Sequence, residues 1–117
     1  MQYMLMCCID EAQWNGLPAR DRDRVMQQYG AWIQGIRESR HHLGTGKLRP
    51  SASAKTIRQA AGAAVITDGP FAETKEQLGG YHLVECRDMD EALAIARRIP
   101  TLPVGGTVEV RQLEPSL

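Results

Sequence analysis

Few side chains in this sequence have both the type and the setting for chemistry. His82, in the run Gly80-Tyr81-His82-Leu83-Val84-Glu85-Cys86, is the foremost acid/base candidate, because an imidazole titrates near ~6.5 and exchanges protons at neutral pH. On a strand it shares a face with Val84 and Cys86, so a satisfied core or interface histidine is the competing reading. Asp68 opens the segment Asp68-Gly69-Pro70-Phe71. In one reading this is a tight turn in which Asp68 caps backbone N–H groups, Gly69 and Pro70 set the dihedrals and Phe71 anchors the loop. In the other, Asp68 sits at a cleft rim as hydrogen-bond acceptor or general base and orients His82. Asp68 and His82 are thus the expected catalytic pair.

Tyr29, Arg49, Phe71, Glu73, Lys75 and Glu76 make up the expected ligand-binding set. Arg49 and the Glu73/Lys75/Glu76 cluster would position an anionic or phenolic ligand. Solvated, such charge pairs contribute only about 0–1 kcal/mol each; gathered in a cleft, three carboxylates against one lysine require a ligand or counter-charge. Tyr29 falls on a buried helical stripe, where its hydroxyl needs a structural or substrate partner.

Other chemistries find no support. His41 and His42 are adjacent and lack ligand spacing, so no metal site is expected. Gly44, Gly46 and Lys47 do not make a phosphate loop, and no cofactor is implied. Cys7, Cys8 and Cys86 are an odd count without CxxC spacing, expected as free thiols in a reducing compartment.

The elements that must position these residues follow from periodicity. Tyr3–Ile9 is a near-continuous apolar strand. Ala19–Ser39 is a helix with Val25, Met26, Tyr29, Ile33 and Ile36 on one stripe and Trp32 beside it. Residues 40–50 read as a loop with a short strand. Ser53–Gln59 and Ala64–Thr67 flank Ala60-Ala61-Gly62 as a hairpin. Gly80–Cys86 is a further strand. Asp88 caps a second helix, with Glu91 in capping-box position and Met89, Ala92, Leu93 and Ala96 as its buried stripe; Pro100 stops it. Thr107–Leu113 alternates as a last strand.

This order predicts one α+β domain over 1–117: a ferredoxin-like antiparallel sheet with two helices on one face and an extra hairpin. The other face of the first strand would stay bare, so a second copy packed sheet to sheet is the expected cover. The length of 117 residues suits one core. No apolar run reaches the ~20 residues of a membrane span, and the first residues lack a signal-peptide pattern; a cytoplasmic protein is expected. The net charge is +0, but it is unevenly spread: net −1 over 1–36, +5 over 37–58 and −4 over 59–117. Zero net charge and 5% aromatics argue against nucleic-acid binding.

The stretch from Thr67 to Tyr81, TDGPFAETKEQLGGY, resembles the signature of the DGPF-type, YCII-related proteins. Tyr3-Met4-Leu5-Met6, Asp10-Glu11-Ala12-Gln13-Trp14, Met26-Gln27-Gln28-Tyr29-Gly30, Asp90-Glu91-Ala92-Leu93 and Gly106–Arg111 extend the similarity over nearly the whole chain. The resemblance implies a ferredoxin-like subunit in a dimeric α/β barrel, and therefore a homodimer. For function it implies a small-molecule binder or an enzyme of lyase or dehydrohalogenase type working by acid/base chemistry in a cleft near the dimer interface. The alternative it implies is a non-catalytic sensor or partner of an extracytoplasmic-function sigma factor. A distant relative uses a His–Asp pair, but where that histidine would stand this chain has Leu17-Pro18-Ala19-Arg20-Asp21.

Overall fold

The computed structural model describes residues 1–116. Strands β1 (Gln2–Ile9), β2 (His42–Lys47), β5 (Gln77–Glu85) and β6 (Thr107–Gln112) form an antiparallel sheet in the order β2-β5-β1-β6. Between β2 and β5 the chain makes a separate hairpin of β3 (Lys55–Ala60) and β4 (Ala63–Asp68). The fold is α+β, and its strand order is compatible with a ferredoxin-like arrangement.

Alternation along β1 and β5 builds the core. Tyr3, Leu5 and Cys7 from β1, with Val84 and with Cys86 just beyond β5, face inward and are buried. Ile36 of the long helix α2 (Ala19–Glu38) and Ala92 and Ala96 of α3 (Met89–Ala96) pack on them. Ile99, just past α3, is also buried. Trp32 ties the two helices together by donating from Nε1 to the Ile95 carbonyl at 3.1 Å. Asp88 accepts from the Glu91 N–H, as its sequence position predicts.

Three expectations need correction. The helices number three among the described residues, not two: Glu11–Asn15 is a short α1 capped by Asp10, which accepts from the Gln13 N–H. Five residues are too few to show a helical period, so only the cap could have announced it. Met89 and Leu93 are exposed, not core; the small side chains of Ala92 and Ala96 set the face of α3 that meets the sheet. Met26, placed on the stripe of α2, is 42% exposed and roofs a cavity described below.

The hairpin turns through Ala61 and Gly62, both at positive φ (50° and 82°), the two-residue turn whose twist suits antiparallel strands. Almost every hairpin side chain is exposed. It projects from the body, and the radius of gyration of 16.2 Å exceeds the roughly 13 Å of a compact chain of this length.

Candidate functional site

His82 shares the buried face of Val84 and Cys86, as strand spacing predicts, and is 2% exposed. It is the buried polar or charged residue among the described core residues, and each ring nitrogen has a partner. Nε2 lies 2.5 Å from the Tyr29 hydroxyl and Nδ1 lies 2.9 Å from Thr45 Oγ1. Strand register makes the second contact, since Thr45 and His82 are direct cross-strand partners. The first contact comes from α2, whose Tyr29 reaches down onto the sheet. Trp32, one position from the Tyr29-bearing helical stripe, packs edge-on against the imidazole at 4.8 Å between centroids and fixes its plane.

The hydrogen bonds continue beyond this pair. Tyr29 Oη approaches Cys7 Sγ at 3.3 Å, and Thr45 Oγ1 approaches His42 Nε2 at 2.8 Å. Cys7, Tyr29, His82, Thr45 and His42 therefore form one unbroken chain from the buried face of β1 to the partly exposed β2 edge. Every link is a group that can both donate and accept, the thiol weakly. The chain can therefore be hydrogen-bonded in either of two opposite directions.

Burial governs the titration of these groups. His82 is pushed down to about 4, first by burial and then by the nearby His42, so its imidazole is neutral at neutral pH. His42 is lowered by burial and by Arg37. Burial raises Tyr29 well above the usual phenol range, with the Cys7 contact adding to it. Cys7 is also raised by burial, partly offset by its Tyr29 hydrogen bond. None of the four holds a charge at pH 7, which suits groups that pass protons along rather than store them.

Tyr29 and His82 stand in the wall of a cavity of about 420 Å³ between the sheet and α2. Its sheet side is open because Gly80 lies opposite Cys7 on β1 and Lys47 on β2, and carries no side chain. A Cβ there would stand 3.0 Å from the Gly46 carbonyl oxygen. Ile9, Trp14, Met26, Ile33 and Leu48 make the apolar walls, and Lys47 and Arg49 stand in the lining with Glu11.

The predicted site residues divide between two regions. Tyr29, Arg49 and His82 come together at this cavity. Asp68 does not join them: it ends β4, 85% exposed, and pairs with Lys55 directly across the hairpin. The partners of His82 within the chain are Tyr29 and Thr45, not Asp68. Phe71 is 78% exposed. Glu73 and Lys75 line a separate open groove beside Glu11 and Ser51, and Glu76 is exposed. Gly69, at φ 91°, shows the backbone role of this turn, and Arg58 donates to the Phe71 carbonyl. Thr45, His42, Cys7 and Lys47 are site residues that sequence reasoning missed. Strand alternation puts Thr45 and Lys47 on one face, but only the β2–β5 register brings that face to His82. Among the described residues no cluster of His, Cys, Asp and Glu has the form of a metal site.

Comparison with known proteins gives a consistent picture. The family model of the YCII-related domain matches residues 1–116. A protein of Rhizobium meliloti (strain 1021), described as uncharacterized, is 38% identical over 114 residues, covering 97% of this chain and 92% of the relative.

Proposed function

The chain belongs to the YCII-related domain family, and from the geometry of its site we propose that this protein binds a small, largely apolar molecule and moves a proton on it. The observation that carries the reading is the buried His82 bonded to the half-buried Tyr29 in the wall of an apolar cavity, connected through Thr45 to His42. A ligand proton passes to the Tyr29 oxygen as the Tyr29 proton moves to His82 Nε2. The His82 Nδ1 proton then moves to Thr45 and the Thr45 proton to His42 Nε2, which releases it to water. The reverse sequence delivers a proton to a carbanion, enolate or leaving group, the step a lyase or dehydrohalogenase reaction requires.

Deuterium uptake at the methylene of phenylacetone in D2O, followed by NMR, tests this. The protein is expected to accelerate uptake, and Tyr29→Phe or His82→Gln is expected to cut the acceleration by about 100-fold or more. Thr45→Val keeps both cavity groups but severs His42, and is expected to cost a smaller factor. Equal rates for wild type, Tyr29→Phe and His82→Gln would sink the catalytic reading. That outcome would favour a non-catalytic partner module, for which the exposed Ile57, Ile66 and Phe71 around the hairpin supply an apolar surface.

A homodimer forms the second part of the reading. Met4 and Met6 pair with Leu83 and Tyr81 and alternate with Tyr3, Leu5 and Cys7, the residues that pack with the helices. Tyr81 also lies over Gly46, where a Cβ would stand 2.5 Å from its ring. Such a face is covered at low cost by a second copy about a two-fold axis, closing the dimeric barrel. Light scattering is expected to give twice the 13.0 kDa chain mass at micromolar concentration; a monomer there contradicts it. The free thiols Cys7, Cys8 and Cys86 support a cytoplasmic setting, and no described helix is long and apolar enough to cross a membrane.

A further inference from the structure

The charged groups of the cavity point to what kind of molecule it takes. Strand alternation carries Thr45 and Lys47 to the same side of β2 as His82. The chain holds that line past the end of the strand, because the Leu48 N–H donates to the Gly79 carbonyl at 2.9 Å. Arg49, the next residue, also reaches the cavity. Neither Lys47 nor Arg49 forms an ion pair among the described residues, and of the cations left unpaired these are the two that line the cavity. The one carboxylate in the lining, Glu11, is already engaged: Ser51 donates its N–H to one oxygen at 2.9 Å and its hydroxyl to the other at 3.1 Å. Two cations thus face an apolar cavity with their charge uncommitted, and the lining carries one positive charge in excess.

We propose that the ligand of this cavity is a small apolar carboxylate, a monoanion whose carboxyl group is held by Lys47 and Arg49 while its hydrocarbon body lies against Trp14, Met26 and Ile33. The inference rests on the reading of the cavity as the ligand site and adds the ligand's chemical class. An arginine fork matches the two oxygens of a carboxylate, and a lysine adds a point charge. A cavity of about 420 Å³ accepts a body of one ring and a short chain. The carboxylate end also orients the ligand, so that its far end meets Tyr29 and His82 instead of the solvent.

The test compares 3-phenylpropanoate with its neutral isostere 3-phenylpropanamide by isothermal titration calorimetry at pH 7.5. The acid is expected to bind about tenfold tighter than the amide. Lys47→Gln with Arg49→Gln is expected to erase that preference, so that acid and amide bind the double variant alike. Both side chains are exposed, so the double variant should fold, and its melting temperature checks this. Equal binding of acid and amide, a preference that survives in the double variant, or no binding of either probe up to ~10 mM overturns the proposal. His82→Gln separates the two readings: it is expected to keep the preference for the acid. If the preference is intact and deuterium uptake into phenylpyruvate, the matching 2-oxo acid, is the same in wild type and His82→Gln, the ligand class stands and the proton-transfer reading falls.

Discussion

Lowering the pH from 7.5 to 4 is expected to remove about 3 kcal/mol of stability from this protein through His82 alone. The imidazole is held down to about 4 in the folded chain against an ordinary value of 6.5. Between those two values the unfolded chain takes up a proton that the folded chain refuses, so unfolding is favoured as the pH falls. The contribution is whole above about 6.5 and is lost progressively down to about 4; below that both states are protonated and no more is lost. The cause is burial: a ring 2% exposed has little water to solvate an imidazolium, and His42 beside it adds repulsion.

Urea unfolding at a series of pH values measures this. Asp88 and Glu91, both held below their usual range by hydrogen bonds and Arg87, lose stabilisation in more acidic solution, so the His82 part is read as the difference between wild type and His82→Gln. Glutamine retains a donor and an acceptor for Tyr29 and Thr45 but does not titrate. The wild type is expected to lose about 3 kcal/mol more than the variant between pH 7.5 and 4. Parallel pH profiles would show that His82 is freely protonated and not buried as described. Protein concentration should be held fixed throughout, since self-association adds to apparent stability.

Leu5→Ala is expected to cost about 2–5 kcal/mol. Leu5 is fully buried at the centre of the sheet, paired with His82 on one side and Val110 on the other. Its removal opens a cavity beside a polar ring, and such a space admits water. Water there would solvate the imidazolium and raise His82 back toward 6.5, so this variant should combine a lower urea midpoint at pH 7.5 with a smaller acid loss. Val110→Ala, on the opposite side of Leu5 from His82, is expected to lower the midpoint without changing the acid step. If Leu5→Ala costs under about 1 kcal/mol, the position is not the tightly packed centre of the core. If it costs the full amount but leaves the acid loss intact, burial of His82 comes from the helix side, from Trp32 and Tyr29, and not from its strand neighbour.

Much of the fold was legible in the chain because its signals are local. The apolar run at Tyr3–Ile9, the 3.6-residue stripe of α2, the Asp88 cap and the Ala61-Gly62 turn each encode their element within a few residues. The capping box was half right. Asp88 accepts from Glu91 as expected, but Glu91 Oε1 reaches the Arg87 N–H, one residue beyond the cap. The exposure of Met89 and Leu93 was not legible, because both sit at helical spacing with Ala92 and Ala96 and only the approach of α3 to the sheet separates them. The uneven charge was real but dispersed. Lys55 of the basic stretch pairs with Asp68 and Arg58 bonds the Phe71 carbonyl, while Lys47 and Arg49 go to the cavity.

The candidate site divides along the same line. That His82 lies on a strand and faces with Val84 and Cys86 follows from alternation, a property of a single segment. Its neighbours do not. Tyr29 lies 53 positions away and Thr45 lies 37, and contacts of that span depend on which strands pair, in what register, and where a helix rests across them. Asp68 is the partner the sequence offers, as a cleft-rim acceptor that could orient His82. The hairpin pairs β4 with β3 alone, however, and carries Asp68 outward to Lys55, whereas β5 returns to the centre of the sheet. Periodicity and capping depend on near neighbours and survive reading in one dimension; the hydrogen-bonded chain and its cavity exist only because distant segments pack together.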